Sequence, residues 1–86
     1  MNKVYLVFEG DNYLSQNSLV LMGVYNDRDK AIDDIMESMS DALMFNEENT
    51  AEYCLKCLKR FSQTHTGFST RYIIKEAELN KWEEII

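Results

Sequence analysis

The chain contains no proline, a single histidine and two cysteines in 86 residues. It also has no internal repeat and no low-complexity stretch. Nothing therefore marks an interdomain linker, and residues 1–86 read as one domain. No apolar run approaches the roughly twenty residues that a membrane span requires, and nothing resembles a signal peptide. The expectation is a soluble cytoplasmic protein. Two cysteines are too few for a disulfide-stapled secreted scaffold. No catalytic signature is present either, so the chain is expected not to be an enzyme and to need no cofactor.

Positive charge is scarce as well. Nine Lys and Arg stand against fifteen Asp and Glu, for a net charge of −6. The excess is confined to one segment. From Asp27 to Glu52 there are nine acids (Asp27, Asp29, Asp33, Asp34, Glu37, Asp41, Glu47, Glu48, Glu52) and two bases (Arg28, Lys30), which gives −7. The other sixty residues carry six acids and seven bases, or +1. A protein that binds nucleic acid directly gathers charge of the opposite sign, so no direct nucleic-acid contact is expected.

What is present suffices for a core. Hydrophobic residues make up 45% of the chain and ten residues are aromatic. A chain of this length buries roughly 60–65% of the surface it exposes when unfolded. The composition is not that of a disordered segment.

The stretch from Leu19 to Phe45 organises the rest. Leu19 to Tyr25 is apolar except for Gly23, and it is too short for an independent helix. It reads as a strand buried on both faces, with Gly23 marking a bulge or a close backbone approach. Asn26 and Asp27 supply side-chain oxygens for a helix start. Ile32, Ile35, Met36, Met39, Ala42 and Leu43 then recur at three- and four-residue spacing, predicting an amphipathic helix to about Phe45.

Before this stretch, Lys3 to Glu9 alternates, with Val4, Leu6 and Phe8 on one face and Tyr5 and Val7 on the other. Gly10 to Ser18 is rich in turn formers and should close an antiparallel hairpin with the next strand, with Tyr13 and Leu14 exposed. Asn46 to Asn49 breaks the first helix. Asn49 or Thr50 caps a second helix running to about Ser62, with Ala51, Cys54, Cys57, Leu58 and Phe61 as its apolar stripe. After a loop over Gln63 to Gly67, Phe68 to Glu78 reads as a third strand, with Phe68, Tyr72 and Ile74 on one face. Trp82, Ile85 and Ile86 close the chain, suggesting a short helical turn.

The order β-β-α-α-β predicts an α+β fold. In it, two helices cover one face of a three-stranded antiparallel sheet, making a two-layer sandwich. The other face would leave Tyr5, Val7 and their neighbours on the second strand exposed, as at a partner surface or a homodimer.

Three constellations are candidates for function. Asp29, Asp33, Glu37 and Asp41 stand four residues apart along one side of the first helix, beside Asp34. Like charges at this spacing cost a helix roughly 0.2–0.5 kcal/mol per pair. They form either a solvated face or a docking surface for a basic partner, such as a groove that normally holds a phosphate backbone. Lys56, Lys59 and Arg60 of the second helix are available to neutralise some of them. Second, Cys54 and Cys57 form a CxxC pair with His65 eight residues on. This set could supply three ligands to a structural zinc, or the cysteines could pack as small hydrophobes on their helix stripe. A redox role is disfavoured because the pair lies inside a helix, away from an N-terminal dipole. Third, His65 in a Thr-His-Thr-Gly loop could be a general base, but no nucleophile pattern accompanies it and a solvated loop histidine is the simpler reading.

The segment KVYLVFE followed by VLMGVYNDRDKAI resembles small uncharacterised bacterial and phage β-β-α-β domains, over about Lys3 to Ile35. In size and concentrated acidity the chain is also similar to phage-encoded anti-CRISPR proteins. That likeness implies an inhibitor docking on a nucleic-acid-handling nuclease, and it assigns no numbered residue. The expectation is thus a binding module that uses Asp29, Asp33, Asp34, Glu37 and Asp41 on a basic protein surface. The alternatives are a small homo-oligomeric domain and a zinc-stabilised interaction domain.

Overall fold

The computed structural model describes residues 3–11, 13–64 and 70–78. His65, Phe68, Trp82, Ile85 and Ile86 lie outside the described residues. The order is β1 (Lys3–Asp11), β2 (Val20–Tyr25), α1 (Arg28–Asp41), α2 (Ala51–Phe61) and β3 (Thr70–Glu78), with one 3-10 turn at Gln16–Ser18. The strands form an antiparallel sheet in the order β2-β1-β3. Two helices pack on one face, so the fold is the expected two-layer α+β sandwich.

Local chemistry sets the element starts. The Asp27 side chain accepts the Asp29 amide at 2.9 Å and begins α1. Thr50 does the same for α2 through the Tyr53 amide at 3.2 Å. The β1–β2 connection is held by Asp11, whose Oδ1 accepts the amides of Tyr13 and Ser15. Asn46 Oδ1 accepts the Glu48 and Asn49 amides and turns the chain between the helices.

The core joins all the layers. Ala31, Ile32, Ile35 and Met39 of α1 meet Cys54 and Leu58 of α2 over Val7, Tyr72 and Ile74 of the sheet. Burying each larger aliphatic side chain contributes about 1.5–3 kcal/mol. Val7 faces Gly23 on β2 and Ile74 on β3, so β1 is the central strand. The helices therefore cover the Tyr5 and Val7 face. Val7 is 4% exposed and Tyr5 packs against the core, which corrects the expectation that these two residues line the open face. Val4, Leu6, Phe8 and Val24 occupy the face turned away from the helices.

β2 departs most from its sequence pattern. An unbroken apolar run predicts burial on both faces, yet Val20, Leu21, Met22 and Val24 are 51–59% exposed. The reason is topological: β3 pairs with the far side of β1 and leaves β2 at the edge. The register shifts between Val7 and Phe8, opposite Met22, which places a bulge beside Gly23 as expected.

β3 has cover on its outer edge. Gln63 bridges to Ile73, the Thr64 amide donates to Tyr72 O at 3.0 Å, and the Ile74 amide donates to Ser62 O at 2.7 Å. The buried Arg71 guanidinium donates through Nε and Nη2 to Thr64 O and fixes the same segment. Desolvation lowers its pKa from the usual guanidinium range.

Both helices end differently from their periodicity. α1 stops at Asp41, four residues before Phe45, because Leu43 adopts a left-handed conformation with φ 55°. The Met44 amide then bonds Met39 O and the Leu43 amide bonds Ser40 O, a Schellman closure. Leu43 is consequently 89% exposed rather than part of the apolar face. On α2, Cys54, Cys57 and Leu58 are buried, but Ala51 and Phe61 face outward. The Arg60 guanidinium lies 5.5 Å from the centre of the Phe61 ring.

Candidate functional site

The acidic ladder lies on the solvent side of α1. Asp29, Asp33, Glu37 and Asp41 are all exposed, while Ala31, Ile32, Ile35 and Met39 point into the core. Each four-residue step turns about 40° around the helix, so the ladder drifts across a broad stripe rather than a line. Asp34 departs from this set. It is half-buried at the side of α1 nearest β2, and its Oδ2 accepts the Tyr25 hydroxyl at 2.7 Å.

Cations do little to neutralise the stripe. Among the described residues, the ion pair formed is Lys3–Glu76 at 2.8 Å, on the sheet. Lys56, Lys59 and Arg60 make no ion pair with the α1 carboxylates. Arg28, at the start of α1, is turned away to α2. Its Nη2 donates to Leu58 O at 3.0 Å, Lys59 O at 2.8 Å and Ser62 Oγ at 2.8 Å. Among the described residues, Lys30 is the cation of α1 not drawn into such a contact.

A cleft of about 290 Å³ opens between this helix and the edge strand. Met22, Tyr25 and Tyr72 line one side, and Asp34, Glu37 and Asp41 the other. Gly23 leaves room for the Tyr25 ring beside the cleft. A Cβ there would stand 2.8 Å from Tyr25 Cε2 and 2.9 Å from its Oη, so the Tyr25 ring lies close over the glycine. That ring position delivers the hydroxyl to Asp34. Hydrogen bonding to Asp34, followed by burial, raises the Tyr25 pKa above 10.0. Tyr72 is raised too, by burial and then by Glu9.

Cys54 and Cys57 are free and buried, one turn apart on α2. Cys54 belongs to the core cluster. Burial, and then the neighbouring Cys57, push the Cys54 thiol above its usual pKa of 9.0. Metal ligation requires the thiolate, so this environment works against it. His65, the third residue of the zinc set and the general-base candidate, lies outside the described residues. Among the described residues, no three His, Cys, Asp or Glu side chains gather as metal ligands. No helix among them is long and apolar enough to cross a membrane.

The ladder was visible in the sequence, but the cleft was not. Asp34 stands one residue off the four-residue ladder, which turns it towards β2. The Tyr25 ring, lying close over Gly23, reaches it through its hydroxyl. No protein-family model, curated protein or solved structure matches the chain.

Proposed function

We propose that the chain is a non-enzymatic acidic binding protein that docks the outer face of α1 on a basic surface of a nucleic-acid-handling protein, acting as an inhibitor of the anti-CRISPR kind. One observation carries this reading: Asp29, Asp33, Glu37 and Asp41 are exposed on one helix and unpaired by the neighbouring cations of α2. A solubilising surface needs only net charge, whereas this charge is gathered on one element and held apart from available counter-charges. Such a surface steers a cationic partner and sets its orientation.

The test is affinity capture from host lysate with the native chain and with Asp33→Lys/Glu37→Lys as baits. The native chain should retain a nucleic-acid-binding protein that is released as salt rises and displaced by added nucleic acid. The double reversal should weaken capture by about tenfold or more, since it replaces attraction with repulsion at two positions. Equal capture by both baits, with equal salt dependence, would reduce the acidic face to a solubilising one.

The exposed apolar run on β2 supports a second reading, a homo-oligomer joined through that strand. A monomer by light scattering would remove it.

A further inference from the structure

We propose that the partner contributes a basic, extended segment that adds to the free edge of β2 as an outer strand, with its cationic side chains over the cleft beside Asp34, Glu37 and Asp41. This inference rests on the reading of α1 as a surface for a basic partner and specifies how that partner is held.

Two features of β2 call for a strand. It pairs with β1 on one side, and among the described residues no strand pairs with the other. An edge strand of this kind presents a row of backbone donors and acceptors as a template for pairing. Its side chains are also open: Val20, Leu21, Met22 and Val24 all lie at the surface. Proteins commonly blunt such an edge with lysine, proline or an inward charge. β2 has none of these, and only the bulge opposite Phe8 interrupts it.

Charge decides what occupies the edge. Met22 and Tyr25 share one cleft with Asp34, Glu37 and Asp41, so the acidic side of α1 borders the strand. Two copies paired antiparallel through β2 would carry both α1 helices on the same face of one continuous sheet. The acidic cleft of each copy would then lie beside that of the other, and like charges so placed oppose the pairing. A strand bearing Lys or Arg at every second position reverses this term. Its alternate residues would turn to the other face, where Leu21 and Val24 stand opposite Phe8 and Leu6 of β1. The segment is therefore recognised by backbone pairing together with a basic–apolar alternation.

The probe is a short peptide alternating lysine with valine and threonine, compared with the same peptide N-methylated on alternate amides. N-methylation removes edge pairing and leaves the charge. Calorimetry gives affinity, and amide exchange by NMR reports protection over Val20–Tyr25. The unmodified peptide should bind and protect the outward amides of β2, and the methylated one should bind at least about tenfold more weakly, having lost several backbone hydrogen bonds.

Equal binding of the two peptides without protection of β2 would overturn strand addition and leave acidic docking intact. Undiminished binding of the unmodified peptide to Glu37→Lys/Asp41→Lys would overturn the charge reading, and this inference with it. A dimer in sedimentation with β2 already protected would assign the edge to a second copy and overturn the inference. Failure of both peptides to bind would overturn it too, while the capture experiment would still judge α1 on its own.

Discussion

Two effects of opposite sign meet at Arg28. It is the first residue of α1, where the helix dipole disfavours a cation by about 0.3–1 kcal/mol. Its guanidinium, however, reaches the end of α2 and donates to Leu58 O, Lys59 O and Ser62 Oγ at 2.8–3.0 Å. A cation near the last carbonyls of a helix is favoured, and here Leu58 O accepts the guanidinium in addition to the Ser62 amide. One nitrogen with two hydrogens satisfies about two of the three acceptors. Hydrogen bonds to a charged group are worth about 1.5–3 kcal/mol each, and partial exposure brings the pair to about 2–3 kcal/mol in total. The tie between helices should therefore outweigh the dipole. Arg28→Glu separates the two, because it improves the start of α1 and sets a carboxylate against three oxygens at the end of α2. The variant should lose about 2 kcal/mol or more, lowering the urea midpoint by roughly 1–2 M with an unchanged slope. Arg28→Lys, with one compact ammonium, should lose about half as much. If Arg28→Glu proved as stable as the native chain, the dipole would govern position 28 and the contact with α2 would contribute nothing measurable.

Leu43 sits at φ 55° with its side chain almost wholly exposed. A left-handed L-residue costs about 1–2 kcal/mol, partly offset by the greater unfolded entropy of glycine. Leu43→Gly should thus stabilise the fold by about 0.5–1 kcal/mol and raise the melting temperature by several degrees; an unchanged or lower melting temperature would contradict the assigned closure of α1. Tyr25 supplies a pH test. Its folded pKa is raised above 10.0, first by the hydrogen bond to Asp34 and then by burial. The native state therefore holds this proton more tightly than the unfolded chain does. The associated stability is complete below pH 10.0 and is lost as pH climbs through the folded value. Tyr25→Phe should flatten this alkaline loss in urea titrations. Tyr72 would leave a residual one, since its pKa is raised too. An identical alkaline limb in Tyr25→Phe would exclude the Asp34 contact as its source.

The parts of the fold set by neighbouring residues were legible in the sequence. Asp27 and Thr50 cap the helices because a short side-chain oxygen meets amides two or three residues ahead, which is chemistry confined to one turn. Ile32, Ile35 and Met39 declared the buried face of α1 by spacing alone. The sheet order was not legible in the same way. Whether β3 joins the free side of β1 or of β2 depends on contacts more than sixty residues apart in sequence, as between Val7 and Ile74. The alternation along β1 likewise separates its two faces without telling which one the helices cover: they cover Tyr5 and Val7, while Val4, Leu6 and the buried Phe8 lie on the other face. The end of α1 was hidden for another reason. Its left-handed residue is a leucine, and a leucine carries no local sign of a stop where a glycine would.

The same division runs through the candidate site. Four acids at four-residue spacing announce a charged helix face, and that face is exposed. Nothing in the spacing tells which strand the face borders. The apolar run of β2 read as a sign of burial, and its exposure changes what the acids mean. Beside an inert surface they would only solubilise. Beside a strand whose outer edge has no partner among the described residues, they also act on that edge: they oppose a second copy, whose charges are the same, and admit a chain of opposite charge. Hydrophobic side chains at an edge invite unspecific pairing, so the selection must come from a field that reaches the edge. Asp34, Glu37 and Asp41 stand in one cleft with Met22 and Tyr25 and supply that field. Moving the three acids to the far side of α1 would leave net charge unchanged and strip the edge of its selectivity.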